Sequence, residues 1–127
     1  MKWLDRETVR APHLALCLSE QDFKRAARHC KVPDPGVWLE MGRHKALVHT
    51  WESGGLLTCV VCLHPDSVLA DPIDVACTLV HESVHVFQRL CQSIGEDRPS
   101  MEFEAYSIER IAERLMRDFV RQTKGTP

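Results

Sequence analysis

An α+β fold is predicted for this chain of 127 residues by three observations. Two strand-like apolar runs, His44 to Glu52 and Leu56 to Leu63, are joined through Ser53-Gly54-Gly55, a hairpin signal. Two later segments, Pro72 to about Cys91 and Ser100 to about Gln122, repeat their apolar residues at helical spacing. Before them, "HLALCL" (13–18) reads as a short strand leading into a helix. The sum is a small sheet of about three strands with three helices, one domain over residues 1–122, and a flexible tail at 123–127.

Each element has its local cause. Ser19 is placed to cap the first helix, "EQDFKRAARHCKV", with Asp22 three residues on. Pro33 and Pro35-Gly36 end it and open a loop that carries Trp38. "HPDSVLADP" reads as a loop or short turn. Asp71 can cap the second long helix, Pro72 suits its first position, and Asp74 adds negative charge to its first turn. Gly95 and Pro99 punctuate the next loop, and Ser100 caps the last helix.

Bulk numbers exclude several classes of function. Net charge is −2 with histidines neutral, so nothing draws the chain electrostatically to nucleic acid or to an acidic membrane. The longest apolar run, Leu56 to Leu63, is far too short to span a bilayer. "MKWLDRETVR" has no apolar core for a signal peptide, so a cytoplasmic location is expected. On that expectation the six cysteines are free thiols, with Cys17, Cys77 and Cys91 among apolar residues. Cys59-Val-Val-Cys62 lacks a second pair, and in a strand its two thiols face opposite ways, which argues against structural zinc.

The chemistry-bearing stretch is "TLVHESVHVFQ" (78–88), which contains His81-Glu82-x-x-His85. With seven His and ten Glu in the chain, that pattern arises by chance in about three of a hundred shuffled copies. Context therefore decides. On a helical wheel Asp74, Thr78, His81, Glu82, His85, Gln88 and Arg89 share one arc of about 120°, and Ser83 is the only polar residue outside it. The two histidines lie one turn apart on the polar face, where their imidazoles can converge on one ion. An ordinary solvated face is the competing explanation.

Two histidines need another protein ligand. Glu102 and Glu104 open the last helix, and the wheel separates them. Glu104 falls in the arc of Met101, Ala105, Ile108, Ile111, Ala112 and Leu115, whereas Glu102 falls opposite with Glu109 and Glu113. A carboxylate on a core-facing stripe needs a partner: an arginine, a proton, or a metal carried by the neighbouring helix.

With His81-Glu82-x-x-His85 and Glu104-Ala105, the chain resembles the gluzincins, zinc metallopeptidases of thermolysin type. More narrowly, "LVHESVHVFQ" and "GEDRPSMEFEAYSIERIAERL" look like small phage- and prophage-encoded zinc metallopeptidases. The resemblance implies a minimal zincin-like fold and one zinc per chain held by His81, His85 and Glu104. It makes Glu82 the general base in hydrolysis of a peptide or protein substrate. It also departs from the pattern, because the family's supporting aspartate corresponds here to Ile108, and Ser107, Asp74 or a main-chain carbonyl would have to substitute. Tyr106, His64 and His49 are candidates for stabilising the oxyanion. In zincins the substrate lies along an edge strand, a role that Leu56 to Leu63 could fill. The alternative to an enzyme is a zinc-binding, non-catalytic module with the same fold.

Overall fold

The computed structural model describes Met1, Trp3–Leu4 and residues 13–124. Its strands are β1 (Trp3–Leu4), β2 (His13–Cys17), β3 (Ala46–Ser53) and β4 (Leu56–Leu63). Its helices are α1 (Glu20–His29), α2 (Pro72–Ile94) and α3 (Met101–Lys124), with a short 3-10 helix at Pro65–Leu69. The α+β class stands, with three substantial strands and the two-residue β1 beside them. The predicted tail is shortened, because Thr123 and Lys124 belong to α3, and residues 125–127 lie outside the described part. Among the described residues no helix is long and apolar enough to cross a membrane.

The predicted caps form. Ser19 Oγ accepts the Asp22 N–H, Asp71 Oδ1 accepts that of Ile73, and Ser100 Oγ accepts that of Phe103. Helix α2 outruns its expected end at Cys91 and stops at Gly95, whose left-handed φ of 72° lets the Glu96 N–H turn back to Cys91 O. His44 and Lys45 fall outside the strand they were expected to begin.

Strand order is β1-β2-β4-β3, with β2 parallel to β4 and β3 antiparallel to it. One sheet face packs Leu14, Leu16, Cys59 and Val61 against Val75, Leu79 and Val86 of α2 and Leu115 of α3. The other packs Cys17, Val60 and Cys62 against Phe23 and Ala26 of α1 and the loop residue Trp38. Covered on both faces, β4 is buried from Leu57 to Leu63, as its near-continuous apolar run requires. It lies between β2 and β3, so it cannot be the substrate's edge strand. The edge beside α2 is β3. Cys59 and Cys62 do face opposite ways, but Cys77 is exposed and not buried as its apolar neighbours suggested.

Candidate metal centre

Two turns of α2 bring His81 and His85 together on the surface. Their Nε2 atoms lie 3.2 Å apart, with ring centroids at 4.9 Å and planes at 77°. Two nitrogens each about 2.0–2.1 Å from a tetrahedral ion would lie about 3.3–3.4 Å apart, so the pair already has a chelating bite. His85 Nδ1 lies 3.0 Å from Gln88 Oε1. An amide oxygen only accepts, so Nδ1 carries the proton and Nε2 keeps its lone pair on the side facing His81. The pair fits a metal on this observation.

Glu82 is oriented differently from its neighbours. It follows Val75 and Leu79 and precedes Val86 on the stripe that meets the sheet, and it is only 6% exposed. The wheel had placed it with the solvated residues. It lies at the inner margin of that arc, where the helix turns under the sheet. Burial pushes its carboxyl above the usual range, while the charges of His81, His85 and His44 pull in the opposite direction. Ser83, the odd polar residue of the apolar arc, is fully buried and donates to Leu79 O at 2.6 Å.

Glu104 is not where the wheel argument put it. It is exposed, as are Met101 and Ala105 on the same stripe. The angular phase was sound, since Ile111, Ala112 and Leu115 are buried further along. The first turns of α3 extend past the sheet, with Phe103 meeting Phe87 of α2 at a ring distance of 5.6 Å. The buried-carboxylate argument for a third ligand therefore falls. Glu104 lines a cavity of about 510 Å³ with Gln88, Cys91 and Glu96. Gln88 is thus the shared neighbour of His85 and of the Glu104 cavity. Among the described residues no three His, Cys, Asp or Glu side chains converge as a ligand set. Glu102 is exposed, as expected.

The three proposed oxyanion stabilisers separate. His49 lies on the α1 face of the sheet, 4.4 Å from the Phe23 ring, with Nε2 3.0 Å from Trp38 O. It is on the wrong face for the site. Tyr106 is 67% exposed on α3. His64 lines a cleft of about 470 Å³ with Thr78 and Asp74 of α2 and with His44 and Lys45. Sequence reasoning missed His44, which it had counted as the first residue of a strand. The available signal was the Gly42 turn just ahead of β3, which sets His44 at the open end of the hairpin beside His64. His64 N–H donates to Lys45 O at 2.8 Å and closes that end. No protein-family model, curated protein or solved structure matches this chain.

Proposed function

We propose that the protein is a zinc-dependent peptidase of minimal zincin-like fold. The observation that carries this reading is the convergence of two imidazole nitrogens at a metal-chelating distance beside a buried carboxylate from the same helix. His81 and His85 would hold the ion, and Glu104 would have to complete the set from the facing helix. Its carboxylate makes no hydrogen bond or ion pair among the described residues, and its cavity adjoins Gln88. Bound zinc supplies a Lewis acid and makes its water acidic enough to deprotonate near neutrality.

Glu82 is the base that takes the proton. Partial desolvation raises its carboxyl toward the working range, which makes it a better acceptor than a solvated glutamate. It then returns the proton to the amine nitrogen as the C–N bond breaks. Two cavities touch α2 before and after the motif, one at the turn that precedes β3 and one at the far end of β3. One holds Asp74, Thr78 and His44; the other, of about 390 Å³, holds Thr50, Glu52, Arg89 and Gln92. A peptide laid along the free edge of β3, pairing through its main chain, would run from one to the other past Glu82.

The test combines metal content with turnover. Wild type should carry about one zinc per chain and cleave members of a broad peptide library. His81→Ala should lose the zinc, and Glu82→Gln should keep it and lose cleavage. Equal, near-zero zinc in wild type and His81→Ala after incubation with the metal would sink the site. Stoichiometric zinc with no cleavage by wild type would leave the non-catalytic binding module.

A further inference from the structure

We propose that Met1, Cys17 and Cys62 form a binding site for a soft monovalent metal ion, cuprous copper, on the face of the sheet turned away from the histidine pair. The inference is independent of the peptidase reading, because it uses none of that site's residues.

Sheet register brings the three sulfurs together. β1 runs antiparallel to β2 with Trp3 opposite Ala15, so Met1, two residues before Trp3, comes beside Cys17. β2 runs parallel to β4 with Cys17 opposite Cys62. The three side chains form one row across the sheet, on the face that packs against α1. Cys17 Sγ donates to Met1 Sδ at 3.5 Å, and the Cys62 thiol is hydrogen-bonded to that of Cys17. The Met1 ammonium, 3.8 Å from the Asp22 carboxylate, fixes this end of the row. The neighbouring row on the same face shows what packing alone takes there: Ala15 and Val60, a small and a branched apolar side chain. The sulfur row is also set apart from the other thiols. Cys59 and Cys91 lie on the opposite face, Cys30 bonds to Thr58, and Cys77 is exposed.

The donor set decides the ion. Two sulfurs about 2.3 Å from one ion lie about 3.5–4.0 Å apart, and the spacing of Cys17 and Met1 already falls in that range. Thiolate and thioether sulfur are soft ligands that select cuprous copper. Zinc takes four ligands, and Phe23, Trp38 and Leu39, which pack around the row, have no side-chain lone pair to add. Calcium and magnesium take oxygen. Cuprous copper has a filled d shell and accepts the low coordination that three sulfurs in a dry pocket provide.

On binding, two S–H bonds give way to two S–Cu bonds, the thioether donates a lone pair, and both protons pass to solvent. Copper enters and stays in its +1 state, so no oxidant or reductant takes part. Protons compete for both thiol sulfurs, so binding weakens as pH falls. Both thiols are fully buried whereas Met1 is half-buried, which makes the Met1 side the entrance. The flexible thioether side chain can swing aside to admit the ion and close on it.

The test uses cuprous ion itself, delivered without oxygen to the full chain from its complex with a chromogenic chelator. Wild type should withdraw about one copper per chain. In protein made with selenomethionine, X-ray absorption should show copper with both sulfur and selenium neighbours. Met1 is the methionine placed to supply that selenium, because Met41 and Met101 are exposed elsewhere and Met116 packs on the other face. Cys17→Ala and Cys62→Ala should each weaken copper binding by more than about 100-fold, beyond the roughly 10–100-fold that loss of an outer partner costs. Cys30→Ala and Cys77→Ala should bind as wild type does. If a variant at a buried cysteine fails to fold, the absorption spectrum of the unsubstituted protein decides. Nitrogen neighbours on copper would put the ion on histidines and overturn the inference. Sulfur neighbours without selenium, undiminished binding in Cys17→Ala and Cys62→Ala, or no copper withdrawn by wild type each overturn it as well.

Discussion

Helices α2 and α3 carry apolar stripes of similar pattern, yet they are covered to different depths. From Val75 to Cys91, α2 is pressed against the sheet, with buried residues along most of its length. Helix α3 is buried only at Ile111, Ala112, Leu115 and Asp118. Its far half is also tied down, with Gln122 Nε2 donating to Leu16 O at 2.9 Å and to the buried Asp118 at 2.7 Å. Its first two turns have α2 on one side and solvent on the other. The same side-chain chemistry therefore has two fates: the carboxylate of Glu82 is desolvated beneath the sheet, and that of Glu104 stands in water. The first suits a base. The second suits a ligand that has to reach an ion at the surface.

The largest expected effect falls on the covered member of this pair. Glu82→Gln should reduce peptide turnover by about 10²–10⁴-fold, the range for loss of a positioned general base, with zinc content unchanged. Measuring kcat and bound metal on the same preparation checks it. Retained turnover would mean that burial of Glu82 is only structural, and the contrast between the two carboxylates would lose its chemical meaning.

The uneven depth of α3 is tested by stability. Leu115 is fully buried, so Leu115→Ala should cost about 2–5 kcal/mol in urea unfolding. Met101 lies on the same stripe but is 87% exposed, and Met101→Ala should stay within about 0.5 kcal/mol. Comparable costs at both positions would show that the first turns of α3 are as well packed as the last.

Glu104→Ala comes next. If Glu104 is the third ligand, as proposed, the substitution should weaken zinc binding by orders of magnitude in a competition titration with a chelator. Glu102→Ala should leave affinity unchanged. Metal-free stability should move by less than about 0.5 kcal/mol in either variant, because both carboxylates are solvated. If Glu104→Ala keeps full affinity, the third ligand lies elsewhere and only the histidine pair survives.

What could be read from the sequence follows from what a wheel measures. Periodicity assigned α2 and α3, and side-chain chemistry placed the caps at Ser19, Asp71 and Ser100, because those signals are local. The histidine pair was legible for the same reason, as one turn of one helix sets its spacing. A wheel gives angle and not coverage. It put Glu104 on the right stripe and could not see that the sheet stops short of it. It put Glu82 near the margin of the polar arc and could not see how far the sheet reaches over that margin. Strand order was beyond it too. Leu56 to Leu63 reads as apolar whether one neighbour or two cover it, and only the parallel return of β2 beside β4 moves the free edge to β3.

The smallest effect gives the cleanest sign. In metal-free protein, burial raises the Glu82 carboxyl above its value in the unfolded chain. Below the ordinary glutamate range the group is protonated in both states and costs the fold little. As pH rises, the unfolded chain releases its proton first while the folded protein still holds one. The folded state then binds more protons, and stability falls with rising pH until the raised folded value is passed. Above it the full cost of a buried carboxylate remains. Glutamine does not titrate. Glu82→Gln should therefore melt a few degrees higher than wild type at neutral pH in the presence of chelator, and the gain should vanish on acidification below the ordinary glutamate range. Glu104→Gln removes no buried charge and should shift melting by about 1 °C or less throughout. A gain for Glu82→Gln that persists unchanged in acid would mean that the amide packs better for reasons other than charge. The desolvation that distinguishes Glu82 from Glu104 would then not be what costs the fold stability.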